Sequence, residues 1–555
     1  MNKIRLPFHF SSFQLLLLCL VINFFLNFPT LSVQHGFSPG DAGINLYAVD
    51  AVVKGKIPYQ DFYWQYGPLM LYYNALFFKL LGAQIQSLIW GRVILKTLFS
   101  GVFFMAARRI MPPWASLLAA LAFGVFTPDF MHNFSHYGGI CMEVGVLWAM
   151  LSYSQSDQEK YIWWAALFVL LLGFIKINFG VVMLAGAGIN LILWDVLKYK
   201  KFSIRQLAVY GYLLIGIILV WVFIHFLFLK NLSIHEIKQS FPFFKGYSTC
   251  YVNRSIPDGF ISIFNTAIFN IRQNGRDAVI AGLALIAFIR VVISIVLQKS
   301  WTGPRHRDYF LIIITMLILA VLSYHEFIMG GIDYEAYWVK PFTIMILAYL
   351  ITEASVISGP FLRRTVFILV AGIIGFQAWQ NWKFLERYKD KAYFFAHRGM
   401  NIYVIEATKD IKSMVDTENY IEQNIPQDKL FFVFPSDALY YFLSGHPAPS
   451  RLLYMFKAIN ITPAQEIDLI RSLERQKVEY IIQGSVCYAG FGQWGKFGRD
   501  YGLIFDKYIK EYYQEVARFG EWSPNPEDYI GGMGTRIFKK KDSQILNITS
   551  PEDLN

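Results

Sequence analysis

Apolar residues form long runs over the first 381 positions and short periodic groups beyond them. The runs lie near 12–33, 66–82, 86–107, 114–131, 139–154, 161–197, 207–229, 278–298, 309–328, 341–357 and 365–381. About 20 apolar residues in an α-helix cross the hydrocarbon core of a bilayer, so the pattern predicts a polytopic α-helical membrane protein. The run 161–197 is interrupted at Phe174-Ile175-Lys176-Ile177-Asn178-Phe179-Gly180. That predicts two short crossings joined by a tight polar bend. The first run follows Lys3 and Arg5. It is too long for a signal-peptide apolar region and has no small-x-small cleavage site, so it predicts a retained helix with a cytoplasmic N-terminus.

After residue 381 the period changes. Apolar residues recur at helical spacing from Ile405 to Ile425, and Lys429 to Phe434 has the pattern of a short buried strand. A helix follows over Pro463–Arg475 with Thr462 as N-cap, then a strand over Val478–Gln483. An amphipathic helix over Arg499–Ala517 comes next, and a terminal β pair over 516–519 and 535–539. The expected fold class is thus a membrane domain over 1–382 and a C-terminal α/β domain over 383–555. Neither a phosphate-binding Gly loop nor metal-ligand spacing is visible in the tail. The Gly-rich, aromatic stretch Gly484–Gly502 fits a plain loop, or one lying over a sugar.

Composition agrees with this reading. Charged residues are 16% of the 555, hydrophobic residues 55% and aromatics 17%. Soluble domains carry about 25% charged residues. Four cysteines exclude a disulfide scaffold. Cys250 and Cys487 are both expected outside the cell, where pairing is chemically permitted, but nothing in the sequence brings them together.

The net charge of +11 suggests nucleic acid until it is mapped. From residue 381 onward 22 basic residues face 23 acidic ones, and the excess lies in front. Short cytoplasmic loops are rich in Lys and Arg. The clusters Arg108/Arg109, Lys160, Lys198/Lys200/Lys201/Arg205, Lys299/Arg305/Arg307 and Arg363/Arg364 all fall inside if 66–82 does not span and 161–197 spans twice. That gives eleven helices. The rival count, in which 66–82 spans and 161–197 crosses once, puts Arg108/Arg109 outside. Under the first count the loop 34–85, the Lys176 bend and the whole tail face the exterior. The charge records insertion, and no nucleic-acid partner is expected.

The first exterior loop carries the most chemistry. Asp41 follows Pro39-Gly40 and opens a helix, as N-cap or first-turn residue. Pro58-Tyr59-Gln60-Asp61-Phe62 turns the chain, and Gly67-Pro68 opens a second apolar segment that returns to the membrane surface. A carboxylate held at the membrane face can act as a general base, or it can simply cap its helix. Asp61, beside Tyr59, can equally be a turn residue.

This loop resembles the GT-C glycosyltransferases. The likeness rests on Asp41, Tyr47, Gly55-x-x-Pro58-Tyr59-x-Asp61-Phe62, Gly67-Pro68 and an aromatic helix ending Leu81-Gly82. It covers 34–110 and returns at Gly173-Phe174-Ile175-Lys176 and at Tyr337-Trp338-Val339-Lys340-Pro341. The nearest branch uses polyprenyl-phosphate sugars and includes protein O-mannosyltransferases, lipid A aminoarabinose transferase and lipopolysaccharide-core galacturonosyltransferases. The resemblance implies surface helices in the first loop, a polyprenyl-phosphate-linked sugar donor, inversion at the anomeric carbon and a lipid, glycan or protein acceptor. By position it implies Asp41 as the base. It also implies a bacterial inner-membrane setting. Many relatives have a second acid where Ala42 stands here, and a single carboxylate is poor support for a divalent metal.

Other groups suit such a site. Lys176 could meet a lipid phosphate, or snorkel to the interface. Arg92 and Lys96, one turn apart, are further cations; Arg272 and Arg276 fit interfacial anchors. Glu143 or Asp129 could supply a second acid, Glu143 fitting a hydrogen-bonded structural role equally well, and His136 could contact sugar or phosphate. Asp333, Tyr334, Glu335 and Tyr337 suit sugar hydroxyls and rings, or an aromatic belt. The competing classes are a transporter or flippase for lipid-linked saccharides and a non-catalytic assembly subunit. Transporters often show internal repeats, and none is visible here.

Overall fold

The computed structural model describes residues 10–27, 33–35, 40–127, 134–199, 204–240, 304–325, 337–357, 359–389, 393–397, 400–405, 408–456, 461–485, 496–522 and 534–541. Cys250, Arg272, Arg276, Asp129, Asp333, Tyr334, Glu335 and Cys487 lie outside these residues.

The front of the chain is helical: α1 (Ser12–Asn27), α2 (Asp41–Val53), α3 (Leu69–Leu81), α4 (Ile85–Ala107), α5 (Pro113–Phe126), α6 (Phe134–Ser156), α7 (Lys160–Gly173), α8 (Ile177–Tyr199), α9 (Ile204–Leu229), α10 (Ile234–Ser240), α11 (Pro304–Ser323), α12 (Lys340–Ile357) and α13 (Gly359–Lys389). By length and composition, three described helices suffice to cross a membrane: α4, α8 over Ile177–Leu197 and α9 over Tyr210–Leu229. The segment 161–197 divides into α7 and α8, as its polar interruption predicts, and α3 has only 13 residues. At 1.5 Å per residue α3 reaches about 20 Å, and α5 and α7, of 14 residues each, about 21 Å, all short of the roughly 30 Å hydrocarbon core. One stripe of α3 (Tyr72, Leu76 and Leu80) is exposed, and Met70, Leu71, Asn74, Ala75, Phe77 and Phe78 are buried.

α6 is the central helix, buried along nearly its whole length and packed on α4 and α7. Helices apolar all round belong in such a core. The outer helices show the opposite. In α9, Leu219, Val222, Phe223 and Phe226 are 60–62% exposed. Contiguous apolar exposure on this scale marks a surface made for another apolar phase, here lipid.

Two small sheets complete the fold. β1 (Val33–His35) pairs in parallel with β3 (Met400–Ile405), and β2 (Tyr393–His397) pairs with β3 antiparallel. The order is β1-β3-β2, so a strand preceding α2 is tied to the tail. The second sheet runs β4-β5-β7-β6. Its strands are β4 (Phe431–Phe434), β5 (Tyr480–Gly484), β6 (Tyr513–Gly520) and β7 (Gly534–Lys540). β4 and β5 are parallel and the other neighbours antiparallel. Between the strands lie α14 (Thr408–Asn424), α15 (Leu439–Ser444), α16 (Pro463–Arg475) and α17 (Leu503–Tyr512). Thr462 caps α16 through a full capping box with Gln465.

Some expected elements are corrected. The helix expected over 499–517 occupies only 503–512, because Tyr513 onward pairs with β7 as a strand. The β2–β3 hairpin has no counterpart among the elements expected from the sequence, and the helix expected from Ile405 begins at Thr408, after β3 ends. α13 runs through residue 382, the expected domain boundary, to Lys389.

The tail rests on the first loop. α15 packs on α2 so tightly that a Cβ on Gly43 would meet the Leu439 backbone nitrogen at 2.5 Å. Only glycine allows that approach.

Candidate active site

Asp41 is the first residue of α2. Its N-cap is Gly40, which makes no side-chain cap bond, and the helix opens with Ile44 N–H donating to the Gly40 carbonyl at 2.8 Å. The Asp41 side chain is therefore a first-turn anion on the favourable end of the helix dipole. It is exposed, and its Oδ1 accepts a hydrogen bond from Tyr454 Oη at 3.2 Å.

Tyr454 belongs to a tail segment, 446–456, that grips the first loop at several points. Tyr63 N–H donates to the Arg451 carbonyl at 2.7 Å. Arg451 Nη1 donates to the Tyr59 carbonyl at 3.0 Å, and its Nη2 pairs with Glu236 at 3.2 Å. Burial lowers the Arg451 pKa and Glu236 opposes that shift. Ala448 N–H donates to Tyr47 Oη at 3.3 Å. Tyr63 meets Tyr454 edge-on at 5.7 Å.

The loop's other candidates hold its own shape. Tyr59 is fully buried with φ 68°, and its hydroxyl donates to the Tyr66 carbonyl. Asp61 is exposed and accepts from Ile57 N–H at 2.7 Å while its own N–H donates to the Ile57 carbonyl at 2.9 Å, closing the turn on both sides.

The loop ends on the Lys176 bend. Gly67 N–H donates to the Ile175 carbonyl at 2.8 Å and Leu69 N–H to the Phe174 carbonyl at 3.0 Å. A Cβ on Gly67 would lie 2.0 Å from that Phe174 oxygen, which is why the Gly-Pro step stands there. Lys176 is 6% exposed. Its Nζ lies 3.3 Å from His136 Nε2 and faces the rings of Phe179 at 5.2 Å, Trp338 at 5.5 Å and Tyr66 at 5.9 Å. An ammonium only donates, so His136 Nε2 is placed to accept from it. Trp338 stacks on Phe179 at 3.5 Å and occupies the space that Gly139 leaves. The result is a cation held in an aromatic cage with a histidine beside it.

These two groups are neighbours through one short stretch of chain. Tyr63 touches Tyr454, and Tyr66 meets His136 at 5.7 Å and Lys176. Three residues span at most about 11 Å, so the carboxylate side and the cation side flank the same piece of loop.

Glu143, two turns along α6 from His136, is buried and accepts from Ser323 Oγ at 2.8 Å. Lys96 Nζ donates to the Thr127 carbonyl at 3.0 Å, at the end of α5, and Arg92 lies buried one turn nearer the start of α4. The Tyr337 ring lies 4.1 Å from Lys340 Nζ. Among the described residues no three His, Cys, Asp or Glu are grouped to hold a metal. Tyr454, Arg451, Tyr66 and Trp338 were not singled out as site residues by the sequence, apart from Trp338 within a family motif. Nothing distinguishes Arg451–Tyr454 from an ordinary loop after Pro447 and Pro449.

Beside the bend opens an apolar groove of about 1100 Å³ between α7, α8 and α9, lined by residues such as Val169, Ile177, Leu184, Leu214, Trp221 and His225. Trp221 packs against Gly173 and His225 stacks on Phe174, so the groove reaches the bend itself.

No protein-family model matches the chain, and no curated protein matches it in sequence. Solved structures match it in shape. ArnT from Cupriavidus metallidurans, bound to undecaprenyl phosphate, superposes with a TM-score of 0.59 at 13% identity, over 96% of this chain and 99% of that one. Its apo form gives 0.55 at 14% identity, over 94% and 97%. The oligosaccharyltransferase AglB from Archaeoglobus fulgidus, in complex with an inhibitory peptide and a dolichol-phosphate, gives 0.51 at 12% identity, over 95% of this chain and 74% of that one. The chain shares the fold of these structures over nearly its whole length.

Proposed function

We propose that the protein is a membrane glycosyltransferase that moves a sugar from a polyprenyl-phosphate donor to a lipid, glycan or protein acceptor, with inversion. The site faces the exterior of a bacterial inner membrane crossed eleven times, with the N-terminus in the cytoplasm and the domain 383–555 outside. The observation that carries the reading is the Lys176–His136 pair in its aromatic cage, bonded to the same loop that displays Asp41 and lying beside an apolar groove. Likeness in shape to ArnT bound to undecaprenyl phosphate supports it.

In this reading the prenyl chain lies in the groove and its phosphate meets the Lys176 ammonium. An acceptor hydroxyl or amine attacks the anomeric carbon from the opposite face, forming the new glycosidic bond as the bond to the phosphate oxygen breaks. Asp41 takes the acceptor's proton. The lipid phosphate leaves with the bonding electron pair, its charge stabilised by Lys176. His136, beside the ammonium, fixes the direction of the lysine. Arg92, Glu143 and Tyr337 extend the donor and sugar contacts, and Tyr59 and Asp61 keep the loop in shape.

The test is purified protein with a polyprenyl-phosphate sugar, scored by release of lipid phosphate. Removing a general base costs about 10²–10⁴ in rate, so Asp41→Asn is expected to fall by that factor. Equal release by wild type and variant overturns the assignment.

A further inference from the structure

We propose that the groove between α7, α8 and α9 selects its lipid by chain length, and that Gly188 and Gly211 are the residues that admit a long prenyl chain to its inner end. The inference rests on the reading of the protein as a prenyl-phosphate-dependent transferase. The groove follows α8 from Ile177 to Ile192 and α9 from Tyr210 to His225, which makes it about 22 Å deep. Its outer end lies at the bend, where His225 stacks on Phe174 and the membrane-crossing part of α8 begins at Ile177. Two features choose the occupant. The Lys176 ammonium at the bend calls for an anionic head. The depth calls for a long tail. A phospholipid anchored at that interface reaches through one leaflet, roughly 15 Å, and leaves the inner part of the groove unfilled. A prenyl phosphate has both the anion and the length.

The inner part is shaped to be filled. On α8, Gly188 lies about 16 Å from the outer end, and on α9, Gly211 lies about 21 Å from it. A Cβ at either position would meet nothing within 4 Å. Glycine is a poor helix former and packing does not require it at either place, so the room it leaves is its use. The apolar surface ends just beyond. Tyr210 Oη donates to Asp195 Oδ2 at 3.0 Å, and Asp195 is 4% exposed. A hydrocarbon chain gains nothing by passing that pair.

The test titrates purified protein in phosphatidylcholine nanodiscs with prenyl phosphates of increasing length, from geranyl to undecaprenyl phosphate. An extended chain advances about 1.2 Å per bond, so geranyl phosphate reaches roughly 10 Å and stops short of Gly188. Wild type is expected to bind more tightly with each added isoprene unit until the chain fills the groove, and no more tightly after that. Gly188→Leu and Gly211→Leu favour the helix and put a side chain into the open space. They are expected to weaken undecaprenyl phosphate about 10-fold and to leave geranyl phosphate as in wild type. Gly216→Leu, on α9 but not lining the groove, also has open space around its Cβ and is the control; it changes neither. If the groove variants weaken both lengths alike, or neither, or if Gly216→Leu weakens the long chain as much, the groove does not read length and the inference is wrong while the donor reading stands. Displacement of undecaprenyl phosphate by phosphatidylglycerol at equal concentration shows a general lipid crevice and overturns it equally. Wild type that binds no prenyl phosphate of any length overturns both.

Discussion

Glu418 offers a prediction that can be worked through in numbers. It lies in α14 with no exposed surface, and neither carboxylate oxygen has a hydrogen-bond partner among the described residues. Burial, with like charge from Glu422, pushes its carboxyl from 4.5 up to about 9. Asp437, just beyond β4, is pushed by burial from 3.8 up to about 7, and both acids act on Tyr440 between them in the fold. A raised folded pKa means that the folded protein keeps a proton the unfolded chain has released. Stability therefore falls as pH climbs above the unfolded value and levels off above the folded one. At pH 7.5 Glu418 is about three units above its unfolded pKa and still below its folded one. At 1.36 kcal/mol per unit, keeping it protonated costs about 4 kcal/mol. Glu418→Gln keeps the shape and has no proton to lose. In thermal unfolding of the full-length protein in detergent, the variant is expected to gain stability at pH 7.5, with about 4 kcal/mol as the ceiling, and almost nothing near pH 4.5. Hydrogen exchange over 408–424 should slow in step. An advantage equal at both pH values, or a loss at both, refutes the argument.

Two further outcomes follow from the bend. Lys176→Met keeps most of the length and the apolar stem but removes the charge that the proposed mechanism sets beside the leaving phosphate; on that proposal lipid-phosphate release falls about 10²- to 10³-fold with the fold intact by circular dichroism, and near-normal release would remove Lys176 from the mechanism. Gly67→Ala sets a Cβ against the Phe174 carbonyl, so the loop must leave the bend; turnover is expected to fall and the Tm to drop by several degrees, as for a loss of about 1–3 kcal/mol, and an unchanged Tm would show that the contact yields freely.

The sequence discloses the helical frame well, because apolar runs and basic loops are strong, additive signals. The bend at Lys176, the short α3 and the Gly67-Pro68 step all follow from residue type alone. What it hides has physical causes. Trp338, Tyr66 and Phe179 are three aromatics among many in a chain that is 17% aromatic, and only the fold selects the three that surround Lys176. Residues 513–517 keep a helical apolar period, and pairing with β7 overrides it. β1 is three residues long and meaningful only against β3, 370 residues further on (Val33 opposite Tyr403). Tyr454 shows its place only where Asp41 receives its hydrogen bond.

The distance in sequence between Asp41 and Tyr454, 413 residues, has a consequence for biogenesis. A chain interrupted before residue 454 carries α1–α13 and lacks the hydroxyl that reaches Asp41. Such a copy holds the apolar groove between α7, α8 and α9 without this tail contact to the first loop. The interface between the first loop and the tail is thus completed late, after the helical frame has been made.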